Sequence, residues 1–335
     1  MKNPRLLSVI LNYRTPDMTL RAATALLAET KGLAASLIIV DNASGDGSYD
    51  RLVAGPDGQG WNAADNVTVI QSPINGGFGA GNNFGILAGL AQSPGPDLIY
   101  VLNSDAFPDK GAISALIDAL KTNPTAGFAG SFIHGPDGTP HITAFRFPSI
   151  SSELENAARF GPISRLLART VIALPVPDKT RPVDWVAGAS LMMRREVLQQ
   201  IGLFDERFFL YFEETDLCLR AARAGWQTLY VRESAVTHIG SVSTGMKKWT
   251  RMPGYWFQSR QHYFVKNHGR AYAARATFMQ VIGAIIQRLR AFVTRRTIAG
   301  PRWFLRDLIC FSLCSGWRNR KAQVPQVNPT KEVAS

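Results

Sequence analysis

The chain is poor in cysteine, in long apolar runs and, over residues 246–335, in acid. Its three cysteines, Cys218, Cys310 and Cys314, form no even-numbered framework and show no metal-ligand spacing. That excludes a disulfide scaffold and points to a reducing compartment. No stretch offers 18 uninterrupted apolar residues, so no membrane-spanning helix is expected. Met1 to Arg5 lead straight into a strand-like run, without the apolar core and cleavage site of a secretory leader. Residues 246–335 hold 17 Lys+Arg against only Asp307 and Glu332, whereas residues 1–245 hold 20 Lys+Arg and 23 Asp+Glu. The net charge of +12 therefore belongs to the tail. Such a tail suits an anionic membrane surface or nucleic acid, and no nucleic-acid-binding motif accompanies it. With 46% hydrophobic and 19% charged residues, the chain is globular rather than disordered.

What is present is a series of short apolar runs that end in polar residues. Leu6 to Leu11 ends at Asn12-Tyr13-Arg14, and Leu37 to Val40 ends at Asp41-Asn42-Ala43-Ser44. Val67 to Ile70 is a third such run, and Leu98 to Leu102 ends at Asn103-Ser104-Asp105. None alternates, as befits strands buried on both faces of a parallel sheet. Helical stretches over Thr19 to Lys31, about Gly81 to Leu90, and Gly111 to Asn123 separate them, which predicts βαβ units. In a parallel sheet the polar endings share one edge, where open α/β sheets bind ligands. Asp105 there suits a hard cation or, alternatively, caps a helix starting near Pro108. Asp41 suits a nucleotide base or ribose, or an Asx turn with Ser44.

The turn Asn75-Gly76-Gly77-Phe78-Gly79-Ala80-Gly81-Asn82-Asn83 follows a strand and opens a helix, so its amides could meet phosphate. It is neither the dinucleotide fingerprint nor a Walker loop. Further on, Val183 to Met193 reads as a strand interrupted at Gly188, and Arg194 to Ile201 as a short helix. The most unusual stretch, Phe204 to Arg220, combines dense aromatics with Glu213, Glu214 and Asp216. A helix from Glu214 to Ala224 puts these acids at its N-terminal turn, where the dipole favours them. Like charges beside apolar rings raise a carboxyl pKa, which suits a general base. His238 lies near the end of the strand-like stretch Val231 to Ile239; His134, His141, His262 and His268 have no acid at metal-ligand spacing in the sequence.

Taken together, Val40-Asp41-Asn42-Ala43-Ser44, Asn75 to Asn83, Leu102 to Asp105, Gly202 to Phe209 and Glu213 to Arg220 resemble the family-2 inverting glycosyltransferases of bacterial polysaccharide synthesis (cell wall or O-antigen), in particular the rhamnosyltransferase-like branch. The resemblance covers roughly residues 6–245. It implies a GT-A α/β fold, with a mostly parallel central sheet flanked by helices, a nucleotide-diphosphate-sugar donor, and Mg²⁺ or Mn²⁺. It places Asn12, Arg14, Asp41, Asn75, Gly76, Gly77, Asn82, Asn103 and Ser104 around the donor, and Asp105 and His238 on the metal. Glu214 matches the catalytic base, with Glu213 or Asp216 as alternatives. Asn103 stands where the metal motif commonly has a first acid, and Glu214 where the base is commonly Asp. Trp185 and Gly188 are expected at the acceptor cleft, a flat ring being suited to a sugar.

The expected division is a catalytic domain over residues 1–245 (donor half 1–125, acceptor half 126–245), a basic helical extension over 246–322, and a disordered tail over 323–335. Ile282, Ile285, Ile286, Leu289 and Phe292 recur at helical spacing among arginines. That suits an amphipathic helix on anionic lipid, or a helix docked on the body. The expected enzyme is cytoplasmic and peripheral on the inner membrane face, moving rhamnose from dTDP-rhamnose to a glycan or polyprenyl-linked glycolipid. Competing readings are a sugar nucleotidyltransferase and a non-catalytic scaffold; monomer and homodimer are both left open.

Overall fold

The computed structural model describes residues 3–240, 251–295, 297, 300–301 and 303–318. Residues 241–250 and the expected tail over 323–335 lie outside them. In chain order the strands are β1 (Leu6–Asn12), β2 (Ala35–Asp41), β3 (Val67–Gln71), β4 (Leu98–Asn103), β5 (Ala106–Pro108) and β6 (Ala126–His134). They continue with β7 (Ala144–Phe145), β8 (Arg181–Val183), β9 (Trp185–Val186), β10 (Ser190–Arg194) and β11 (Gln227–His238). The first helices are α1 (Pro16–Thr30), α2 (Ser48–Val53), α3 (Gly77–Leu90), α4 (Ala112–Thr122), α5 (Ile150–Ala158) and α6 (Gly161–Leu166). After them come α7 (Arg195–Ile201), α8 (Glu213–Arg223), α9 (Gly254–His268), α10 (Arg270–Thr294) and α11 (Phe304–Arg318).

The main sheet runs β3-β2-β1-β4-β10-β6-β11-β5, with β8 alongside β11. From β3 to β4 it is parallel throughout; β10 then enters antiparallel between β4 and β6. The non-alternating strands feed two cores. Leu6, Ile10, Ile39, Tyr100 and Leu102 pack under α1 and α4, while Leu7, Val9, Ile38, Val40, Ile99 and Val101 face α3, α7 and α8. Register aligns the polar endings: Asn12 pairs with Asp41, and Leu11 with Asn103. β10 starts at this same edge, since Ser190 pairs with Leu102.

Several boundaries differ from expectation. The glycine-rich turn is already helix, because α3 begins at Gly77. The expected strand over Val183 to Met193 is three pieces in two sheets, broken at Asp184 and at Ala187 to Ala189. Asp105 caps no helix, for β5 intervenes and α4 starts only after Gly111, whose φ is 84°. The extension also docks. Phe208 and Leu219 share a buried cluster with Tyr263, Phe264, Ala273 and Ala276 of α9 and α10. The buried Arg260 on α9 donates twice to Glu153 on α5, at 2.9 and 2.7 Å. Gly283 lets α10 lie against α5, since a Cβ there would sit 2.6 Å from the Leu154 carbonyl oxygen.

Candidate active site

Two hollows meet at the carboxyl edge of the parallel strands. The smaller, about 220 Å³, is lined by Tyr13, Asn42, Asn75, Gly77, Phe78, Ser104 and Tyr255, among others. The larger, about 650 Å³, is lined by residues that include Trp185, Gly188, Glu213, Glu214 and His238. Phe78, Asn103, Asp105 and Leu210 line both, so Asp105 stands at the junction. The short pairing of β5 with β11 sets His238 opposite Ala106. His238 Nε2 is 3.0 Å from Asp105 Oδ1 and 3.4 Å from Asn103 Nδ2. The Asp105 carboxylate and the Asn103 amide nitrogen thus both lie beside the His238 ring. Among the described residues no group of three or more His, Cys, Asp and Glu could hold a metal. A cation here would lean on diphosphate and water for its remaining ligands, as Mg²⁺ commonly does.

Glu213 and Glu214 open α8 behind Tyr211 and Phe212, both left-handed at φ 71° and 72°. Such φ values are costly for aromatic residues. The surroundings impose them: Ser259 of α9 donates to the Leu210 carbonyl at 3.0 Å, and Phe212 packs on Tyr263. Glu213 is buried, and Oε2 of each glutamate is shut from solvent without a partner. Burial raises both carboxyl pKa values. Glu213 rises well above the usual range, pushed further by Glu214, while amides of Glu214 and Gly188 partly offset the rise at Glu214.

Not every expected residue reaches the hollows. Asp216 is a correction: its carboxylate accepts from Arg220 Nε, Lys266 Nζ and Asn267 Nδ2, each at 2.8 Å, and lines neither hollow. It braces α8 on α9 and is not placed to act as a base. Asn82 is buried in α3, donating to the Phe78 carbonyl at 2.9 Å. Asp41 is fully buried and accepts from Asn12 Nδ2, Ser44 N, Ser44 Oγ and Gln71 Nε2, so it closes the Asx turn. Of these donors only Gln71 belongs to an exposed residue that an incoming base could replace. Asn12 also accepts from Thr19 Oγ1 at 2.8 Å, and Arg14 Nε donates to the Ser44 carbonyl at 3.0 Å. Both shape the wall without lining the hollows. Gly76 likewise lies beside the smaller hollow, next to Asn75 and Gly77. Trp185 lines the larger hollow, stacked on Phe145 at 4.2 Å, with its indole N–H donating to the Arg146 carbonyl. Two histidines do find acids in space, His134 with Asp109 at 2.8 Å and His262 with Asp205 at 2.9 Å.

Sequence reasoning missed Tyr13, Asn42 and Phe78 on the wall of the smaller hollow, and above all Tyr255. Tyr255 lies on α9, in the expected extension, yet it lines the smaller hollow and packs on Phe209 and Tyr211. No motif marks it; the aromatic density of Gly254 to Phe264 was the available signal.

The fold is found in solved structures. The chain aligns over 96% of its length with 82% of the mannosyltransferase PcManGT from Pyrobaculum calidifontis, at 14% identity and a TM-score of 0.53. It aligns over 94% of its length with 58% of GalNAc-T7, at 15% identity and a TM-score of 0.57. The first was solved with GDP-Man and Mn²⁺, the second with UDP, GalNAc and Mn²⁺. The architecture is thus the GT-A fold of sugar-transferring enzymes. Residues 4–272 match the model of glycosyltransferase-like family 2, and the chain belongs to that family as a rhamnosyltransferase-like glycosyltransferase. The match runs beyond residue 245 and takes in α9. A Mycobacterium tuberculosis protein named N-acetylglucosaminyl-diphospho-decaprenol L-rhamnosyltransferase is 34% identical over 218 residues, which span 63% of this chain and 68% of that protein.

Proposed function

We propose that this glycosyltransferase moves L-rhamnose from dTDP-rhamnose to a hydroxyl of a polyprenyl-diphosphate-linked glycan, with inversion at the anomeric carbon. One observation carries the reading: Asp105 and Glu214, over a hundred residues apart, line the same hollow. The name of the mycobacterial relative supports both the sugar and the lipid-linked acceptor.

In this reading the smaller hollow takes the nucleotide diphosphate, against Asn75, Gly77, Ser104 and the rings of Tyr13 and Tyr255. Asn12, Arg14, Asp41, Gly76 and Asn82 hold its wall in shape. The larger hollow takes the acceptor, with Trp185 as a sugar platform and Gly188 leaving room beside Glu214. Asp105 and His238, with the Asn103 amide, would hold Mg²⁺ or Mn²⁺, which when bound neutralises charge on the departing diphosphate. Glu214 takes the proton of the attacking hydroxyl. Glu213, buried deeper and raised further, holds its own proton and so spares Glu214 a second negative charge. The division of the chain into donor half, acceptor half and extension is proposed with one change, that α9 belongs to the catalytic body.

None of the described helices is long and apolar enough to cross a membrane. We place the enzyme at the inner membrane face through α10, whose Phe278, Leu289 and Phe292 are 64%, 62% and 85% exposed. The test is transfer from dTDP-rhamnose to a polyprenyl-diphosphate acceptor, with and without Asp105→Ala. The wild type should require Mg²⁺ or Mn²⁺, and the variant should lose metal-dependent donor binding. Equal donor affinity in both proteins, with and without metal, would overturn the metal role; nucleotide-sugar synthesis without transfer would favour a nucleotidyltransferase.

A further inference from the structure

The C-terminal helices enclose a hollow that the transfer chemistry does not use. It measures about 470 Å³ and lies between α9, α10 and α11. That is within the range of roughly 300–1,000 Å³ typical of small-ligand sites. Phe257, Val265, Ala273, Phe278, Leu308 and Phe311 make its apolar walls. Phe257 stacks on Phe311 with ring centres 5.7 Å apart. Apolar walls of this kind gain by excluding water, so the fitting occupant is apolar.

Charge narrows the choice. Asp307 is the only acid between residues 251 and 318, and Arg251 engages it twice, at 2.6 and 2.8 Å. Arg260, on the wall, is committed to Glu153; Arg270, also on the wall, is exposed. A molecule with an apolar chain and an anionic head complements both features. The hollow is also continuous with the membrane-facing stripe, since Phe278 belongs to both and Ile285, Leu289 and Phe292 follow it at helical spacing. On the other side, α9 turns Phe257 toward this hollow and Tyr255 toward the donor hollow.

We propose that the groove between α9, α10 and α11 seats the isoprenoid chain of the lipid-linked acceptor. This rests on the reading of a polyprenyl-linked acceptor given above. A groove filled by Ala274→Trp, at an exposed position on its rim, tests it without disturbing a buried core. Ser312→Trp fills it from α11. The first measurement compares acceptors carrying a long polyprenyl chain and a two-isoprene chain on the same sugar diphosphate. The wild type should favour the long chain by at least about tenfold in KM, since withdrawing two methylenes from water suffices for that. Ala274→Trp should abolish the preference and leave the KM of the donor and of the short acceptor unchanged. Equal effects on both acceptors, or no effect of either variant, would overturn the proposal.

The second measurement needs no turnover: direct binding of polyprenyl monophosphate to the full chain. Binding that weakens about tenfold in both tryptophan variants supports the groove even if no lipid-linked acceptor is used, which would count only against the acceptor reading. Binding unchanged by both variants, or equal competition by phosphatidylglycerol vesicles, would show that the groove does not select an isoprenoid.

Discussion

Glu213 and Glu214 are neighbours in the chain and unequal in their surroundings. Both line the larger hollow and each keeps one oxygen unpartnered, but Glu214 accepts from the Gly188 amide, while Glu213 is the more buried and is pushed further up by its neighbour. Glu214→Gln should keep donor binding, measured by calorimetry, and lose transfer by at least about 100-fold. Because burial raises the Glu214 pKa, the acid limb of log(kcat/KM) should fall at a pH above the ordinary carboxylate range. Glu213 makes a stability prediction. Unfolded, it ionises near pH 4.3. Folded, it keeps its proton to a much higher pH, so the native state binds more protons and stability falls as pH rises through that window. Glu213→Gln removes this loss. Its melting temperature relative to wild type should climb from pH 4 to pH 8, and a flat difference would refute the assignment. Asp105, Glu214 and His238 were legible as residues; the separation of Glu214 from Asp216 was not. Two positions on a helix are about 200° apart, and the sequence does not say which side faces the hollow. Asp216 is on the side of Arg220, four residues on, and of α9.

At the scale of elements, the start of α3 and the whole of α9 decide how the site is built. Gly77 has φ 88°, and a Cβ there would overlap the Phe209 carbonyl, which accepts from the Phe78 amide at 2.9 Å. Gly77→Ala should therefore destabilise the protein by about 3 kcal/mol or more in denaturant titrations, through strain and displacement of the aromatic loop. The glycine cluster was visible in the sequence as a turn opening a helix, but the carbonyl packed against Gly77, 132 positions away, was not. Helix α9 was missed as an element of the site because it lacks one apolar face. Its rings meet different partners: Tyr255 on Phe209, Trp256 and Phe257 on Phe304, and Tyr263 on Phe212. Tyr255→Ala should raise the donor KM several-fold while Tyr255→Phe retains wild-type binding; equal KM in all three proteins would remove Tyr255 from the donor site.

Over the whole molecule, the basic extension is a docked body rather than a free arm. One side of α10 buries Ala273, Ala276, Gly283 and Ala284, while the other exposes Phe278, Leu289 and Phe292. The docked reading of its amphipathic pattern is thus realised on one face, and the opposite face stays exposed. Replacing Phe278, Leu289 and Phe292 together by serine should weaken cosedimentation with anionic vesicles at least about tenfold, as loss of apolar burial requires. Raising salt should weaken wild-type binding too, because the arginines act through screened charge. The amino-acid sequence alone determined the parallel half of the sheet, the edge at which its polar endings gather and the sign of the tail. Each follows from local apolar runs, turn residues and composition. Only tertiary structure decided that Asp216 turns away from the hollow that Glu214 lines, that β10 enters antiparallel beside β4, and that α9 reaches the smaller hollow. Those outcomes depend on contacts between segments far apart in the chain, whose energies are set by burial and close packing that no local pattern encodes.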